Sequence, residues 1–176
     1  RNRAELEELL NILSSAIGSL TNPTKLSATF KSVKQKTISN TTIKRYIDYL
    51  CDSFLIDNAV RYDIKGKNIL ASTEKYYAGD IGLRNINKAS EQIDTNKLFE
   101  NVVYLEMLSR GYDVKVGKLD TQEIDFVCYK GQKKLYIQVA YVLTEDCVAR
   151  EFGNLEKIDD NFPKYVISND IVDMSR

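Results

Sequence analysis

Apolar side chains recur at helical spacing through Leu6, Leu9, Leu10, Leu13, Ile17 and Leu20, which predicts an amphipathic helix over about residues 4–19. Asn22-Pro23-Thr24 interrupts that pattern and supplies a new cap, and a short helix follows through Leu26, Phe30 and Val33. Ser39-Asn40-Thr41 is a second cap signal. After it Ile43, Ile47, Leu50, Cys51 and Phe54 lay an apolar stripe along a third helix. The period then changes to that of strands, with Leu55-Ile56 and Val60-Arg61-Tyr62, a turn at Lys65-Gly66-Lys67, and a return through Ile69-Leu70 to Tyr76-Tyr77. In the second half, Asp94-Thr95 caps a helix over about residues 95–110, with Leu98, Val102, Leu105 and Leu108 as its stripe and Gly111 as its end. Val114 and Val116 open a strand. Glu123–Tyr129 and Lys134–Tyr141 form two more around a glycine-containing turn. A helix near Cys147–Lys157, marked by Phe152, Leu155 and Ile158, precedes a last strand at Lys164–Ile167.

The fold class expected from this order is mixed, α+β or α/β. Three helices followed by a hairpin, over residues 1–79, is the order of a winged helix-turn-helix. Six basic residues and no acidic one lie between Thr24 and Ile47: Lys25, Lys31, Lys34, Lys36, Lys44 and Arg45. Thr41, Thr42, Lys44, Arg45 and Tyr49 face away from the apolar stripe of the third helix and are expected to be open to a DNA groove. Lys34 and Lys36 extend the same basic stretch, and Lys65 and Lys67 at the hairpin tip are placed to reach phosphates.

The α-β-β-β-α-β order over residues 80–176 is that of a restriction-nuclease-like core. Strand alternation puts Ile124, Phe126 and Cys128 on one face and Asp125 and Val127 on the other. In the next strand Leu135, Ile137 and Val139 oppose Tyr136, Gln138 and Ala140, so aligned apolar faces leave Asp125 on the side of Gln138 and Ala140. An Asp on one strand and a tripeptide on the next resemble the PD-(D/E)XK layout, in which that tripeptide reads Glu-x-Lys. Here it reads Gln138-Val139-Ala140. Phosphodiester hydrolysis needs a metal to activate water and a cation to offset charge. Gln138 keeps an oxygen but loses a charge, and Ala140 offers nothing. The candidate catalytic set is Glu100, Asp125 and Gln138, with Arg150 standing in for the lysine; Glu100 and Asp125 would hold Mg²⁺ weakly at most.

Composition narrows the chemistry. The 176 residues contain no histidine, which excludes Ser-His-Asp and Cys-His nucleophiles and His-ligated metals. No GxxxxGK[ST] occurs, so this chain alone binds no ATP through a P-loop. Cys51, Cys128 and Cys147 lack metal-site spacing and fit free thiols in a reducing cytoplasm. No apolar run is long enough for a membrane span, and no signal peptide is recognisable. Residues 1–79 carry 12 basic against 8 acidic side chains and residues 80–176 carry 13 against 17, which suggests two modules with different partners.

Several short stretches occur together: Lys65–Leu70, Glu74–Tyr77, Asp80–Arg84, Glu100–Tyr104, Arg110–Tyr112, Glu123–Phe126, Tyr136–Ala140, Arg150–Phe152 and Pro163–Tyr165. The set resembles the C-terminal half of prokaryotic AAA-type ATP-binding proteins, in which a P-loop ATPase domain precedes a winged helix and a nuclease-like domain of unknown function. The resemblance implies a fragment whose ATPase domain lies elsewhere on the polypeptide, with residues 1–20 closing that module or opening the winged helix. Residues, charge and resemblance together leave three alternative roles. The leading one is a DNA-associated or partner-recognition region with an impaired nuclease-like domain. The others are a Mg²⁺-dependent nuclease and a protein-interaction or self-association module without DNA binding.

Overall fold

The computed structural model describes residues 2–86 and 94–170 of a mixed α+β chain. It falls into two compact units. The first comprises Arg1–Arg61 and Leu70–Ile93, and the second Tyr62–Ile69 and Asp94–Arg176. The division therefore lies beyond residue 79, and the tip of the hairpin belongs to the second unit.

In the first unit, α1 (Asn2–Ser15), α2 (Pro23–Lys34) and α3 (Asn40–Asp52) precede the hairpin of β1 (Ile56–Asp63) and β2 (Asn68–Ala78), with a short α4 (Ile81–Ile86) after it. The Asn22 side chain accepts from Lys25 N at 2.9 Å and the Ser39 hydroxyl accepts from Thr42 N at 3.2 Å. Both cap signals thus start helices, because each supplies an acceptor for an orphan N–H of the first turn. Leu9, Leu13, Leu26, Phe30, Ile43, Ile47, Leu50, Ile56 and Tyr76 form one buried cluster. Helix α1 stops four residues before the expected end. Gly18 takes a left-handed φ of 65°, its N–H goes to Tyr76 O, and Thr21 exchanges backbone bonds with Glu74. The strand offers these backbone groups partners that another helical turn would have to forgo. Phe54 also departs from expectation. The helix ends at Asp52, and Phe54, at φ 57°, is 85% exposed instead of joining the stripe; Tyr46 fills that core.

In the second unit, α5 (Thr95–Ser109) is followed by β3 (Asp113–Leu119), β4 (Gln122–Lys130), β5 (Lys133–Ala140), α6 (Glu145–Glu156) and β6 (Lys164–Ser168). β3, β4 and β5 pair antiparallel, and β6 joins β5 in parallel through the α6 crossover. The hairpin tip lies beside β3, with Ile64 N donating to Lys118 O at 2.9 Å. Tyr104 of α5 packs on Phe126, their ring centroids 5.9 Å apart, so α5 covers that face. Val127, Tyr136, Leu155 and Ile158 cluster on the opposite face, under α6. The α5 stripe is rotated from the expected one: Asn101, Val103, Tyr104 and Met107 are buried while Val102 is 46% exposed. Apolar residues surround much of this helix, and contact with Phe126 selects among the available faces.

The strict alternation expected in β4 also fails. Lys115 pairs with Val127 but Gly117 pairs with Ile124, so β4 carries an extra residue at Asp125–Phe126. This bulge puts Ile124 and Val127 on the same face, where both would crowd a Cβ added at Gly117. Bulges re-aim side chains and release backbone groups from the ladder, and the residue affected here is Asp125.

Asp160 anchors the end of β6 opposite the bulge. It accepts from the buried Tyr136 hydroxyl and from Lys134 Nζ, with Lys164 also beside it. Burial pushes its carboxyl upward, but the bonds from Tyr136 and Lys134 more than offset this and hold it below the ordinary value of 3.8. A carboxyl depressed in the folded state stabilises above its unfolded pKa, and that stability is lost as pH falls through the folded value. Asp160→Ala is therefore expected to cost about 2–3 kcal/mol at pH 7, since it strands the Tyr136 hydroxyl. In urea denaturation the gap from wild type should shrink below pH 3.8, where wild type loses the same contribution. A gap independent of pH would leave packing as the cause.

Candidate functional site

Beside the β4 bulge lies a cavity of about 410 Å³ whose walls include Asn96, Asp125, Gln138, Ala140, Arg150 and Glu151. The β4–β5 register ends at Phe126 opposite Ile137. Beyond it the ladder is continued by side chains. Asp125 N donates to Gln138 Oε1 at 2.7 Å, and Val139 N donates to Asp125 Oδ2 at 2.8 Å. The bulge frees Asp125 N–H from β3, and Gln138, only 3% exposed, supplies the missing acceptor. The other end of its amide donates from Nε2 to Glu151 Oε2 at 2.8 Å. Glu151 is itself 6% exposed, and its Oε1 accepts from Arg150 Nε at 2.9 Å and Nη2 at 2.6 Å. The hydrogen bonds to Glu151 raise the Arg150 guanidinium above its usual range, so Arg150 stays charged at neutral pH.

This chain of bonds gives each group a structural partner. An amide can accept from Asp125 N–H and donate to Glu151 at once; a carboxylate at position 138 could only accept. Gln138 is thus the residue type that closes the network. Arg150 binds Glu151, not the acids it was expected to serve.

The sequence-predicted set is only partly assembled. Asp125, Gln138 and Arg150 share the cavity, whereas Glu100 is not among its lining residues; Asn96, one turn earlier on α5, is, and its Oδ1 accepts from Tyr141 N at 3.2 Å. Among the described residues no three acidic or thiol groups gather closely enough to hold a metal. Glu151 was missed. A charged residue four before Leu155 and seven before Ile158, on the buried stripe of α6, was the available signal. Phe152, expected on that stripe, is 45% exposed.

Neither the buried Cys128 nor the half-buried Cys51 offers a ready thiolate: burial pushes the Cys128 thiol up to about 12, and burial with nearby acids pushes Cys51 up to about 11.

The expected DNA-contacting residues divide as well. Thr41, Lys44 and Arg45 are exposed on α3, and neither Lys44 nor Arg45 has an ion pair among the described residues. Thr42 shares its hydroxyl with Ser39 at 2.9 Å. Lys36 is tied to Glu5 at 2.8 Å, and Lys65 to Asp120 at 2.6 Å. Lys67 is exposed at the hairpin tip; Lys34 ends α2, and its side chain lies outside those described. Asp48 and Asp52, together with Glu74, line a separate cavity of about 480 Å³ next to Lys44, which confines the positive surface to the first half of α3.

These features define a mixed α+β protein with an α3 surface that is basic at its start and a cavity whose buried acid is internally neutralised. The chain belongs to the family described as "Domain of unknown function (DUF8612)", whose model matches residues 1–94. It is 40% identical over 163 residues to an uncharacterised protein of Haemophilus influenzae, a match covering 93% of this chain. The match covers 40% of that relative, so the chain spans about two fifths of its length. No solved structure matches the chain. Among the described residues, no helix is long and apolar enough to cross a membrane.

Proposed function

We propose that this chain is a nucleic-acid-contacting region of a longer ATPase, with its first unit a winged helix-turn-helix and its second a restriction-nuclease-like domain without hydrolytic function. The observation that carries the reading is the exposed trio Thr41, Lys44 and Arg45 on the first two turns of α3. Helix-turn-helix modules present the N-terminal part of their recognition helix to DNA, and cations without counter-ions there attract phosphates. The ATPase context is supported by the resemblance of the short stretches above and by the greater length of the Haemophilus relative. The impaired second domain is supported by Gln138 and Arg150, whose polar groups serve Asp125 N–H and Glu151.

Fluorescence anisotropy with a labelled duplex tests the reading. Wild type should bind at about 50 mM salt and weaken steeply towards about 200 mM. Lys44→Ala with Arg45→Ala should lower affinity by about tenfold or more and reduce the salt slope by about two. Absence of binding by folded protein at low salt, or an unchanged affinity in the double variant, would sink the proposal.

A second reading, recognition of a protein partner, rests on Phe54. A side chain 85% exposed and held at φ 57° exposes apolar surface at a conformational cost. That reading expects a stable oligomer or complex by light scattering and no duplex affinity.

A further inference from the structure

A cavity of about 340 Å³ in the second unit is lined by Lys65, Lys67, Lys134, Lys157, Asp159 and Asp160, over an apolar floor that includes Ile64, Leu119 and Ile158. Its volume is at the lower end of the roughly 300–1,000 Å³ common for small-ligand sites.

The charges around it do not cancel. Asp160 is committed to Tyr136, Lys134 and Lys164, and Lys65 to Asp120. Counting those partners, five lysines meet three aspartates, an excess of two positive charges. Lys157 donates only to the neutral Gln122 Oε1 at 3.2 Å, and Lys67 has no ion pair among the described residues.

The lysines stand on a rigid frame. At the tip, Asp63 Oδ1 accepts from the N–H groups of Lys65 and Gly66 at 3.1 and 2.9 Å, which fixes the turn carrying Lys67. Lys134 is held by Asp160 and lies 4.6 Å from the Tyr136 ring centroid and 5.0 Å from that of Phe162. Its position is set before any ligand arrives. Lysines brought to one small cavity from the hairpin tip, β5 and the end of α6 suit a compact, multiply charged oxyanion.

We infer that this cavity is a phosphate-binding site, taking either a backbone phosphate of a nucleic acid or the phosphoryl chain of a free polyphosphate. It goes beyond the α3 surface because all of its lining lysines belong to the second unit; only its duplex arm rests on the nucleic-acid reading.

The test uses Lys67→Glu with Lys157→Glu, leaving Lys134 in place because Asp160 needs it. With sodium tripolyphosphate as probe, wild type should melt about 2 °C higher or more, and the variant should show no rise. Urea denaturation without the probe checks that the variant folds. If it does not, Lys67→Gln alone is used, with at least half the shift expected to disappear.

Two further outcomes support the site and separate its sources. Loss of duplex affinity in the variant, with tripolyphosphate competing against the duplex, assigns a backbone phosphate. Unchanged duplex affinity with the tripolyphosphate shift lost assigns a free polyphosphate. No shift in wild type, or an equal shift in the folded variant, overturns the inference. The α3 reading fails separately, through an unchanged duplex affinity in the Lys44/Arg45 double variant.

Discussion

Gly79→Ala is expected to destabilise the first unit by about 3 kcal/mol or more. A Cβ at this position would lie 2.0 Å from the carbonyl oxygen of Phe54, which is backbone and cannot rotate aside. Gly79 N also donates to Leu55 O at 3.1 Å, so relieving the clash breaks the bond that ties the end of the hairpin to the end of α3. Thermal melting by circular dichroism should show an early transition for this variant. Gly153→Ala in α6 is the control. Nothing lies within 4 Å of its added Cβ, and alanine should be neutral or stabilising by up to about 1 kcal/mol there. Similar stability for the two variants would show that the Phe54–Gly79 approach carries no load.

Gln138→Glu, which puts a carboxylate where the PD-(D/E)XK layout carries one, is expected to cost about 2–4 kcal/mol at pH 7. The amide nitrogen now 2.8 Å from Glu151 becomes an oxygen, so two carboxylates face each other where both flanking side chains are buried. Arg150 can neutralise one of them, and it already serves Glu151. The new carboxyl should therefore titrate well above its ordinary range. A group whose folded pKa is raised gives stability that is complete below its unfolded pKa and disappears as pH rises through the folded value. Relative to wild type, the variant should recover most of its loss as pH falls from 7 towards about 5, near the onset of glutamate protonation. A deficit that does not change over this range would mean that the network tolerates two charges. The idea of a site closed by its amide would then be wrong.

The extent to which the chain was legible depended on distance along it. Asn22, Ser39 and Asp94 start their helices by local bonds to N–H groups three residues on, and sequence alone can show that. The hairpin and the three central strands follow equally from period and turn residues. The candidate site was legible in part. Asp125 and Gln138 do meet, since pairing neighbouring strands face to face is a local rule. Glu100 does not join them, because the neighbour relation between α5 and the cavity depends on how a helix apolar on several sides is rotated. Lys36 and Lys65 looked like free cations and are paired with Glu5 and Asp120, residues 31 and 55 positions away.

The sequence by itself determined the mixed α+β class, the order of the main helices and strands, the absence of histidine chemistry and a Gln138-Val139-Ala140 tripeptide with neither Glu nor Lys. Those properties follow from residue type and short-range periodicity. Only the tertiary structure decided what the altered tripeptide does. The bulge at Asp125–Phe126 releases one N–H, Gln138 accepts it, Glu151 takes the other end of the amide, and Arg150 balances the charge. The physical reason is that a buried polar group is defined by its partners. These partners converge from two strands and a helix, and no local pattern in the chain encodes their meeting.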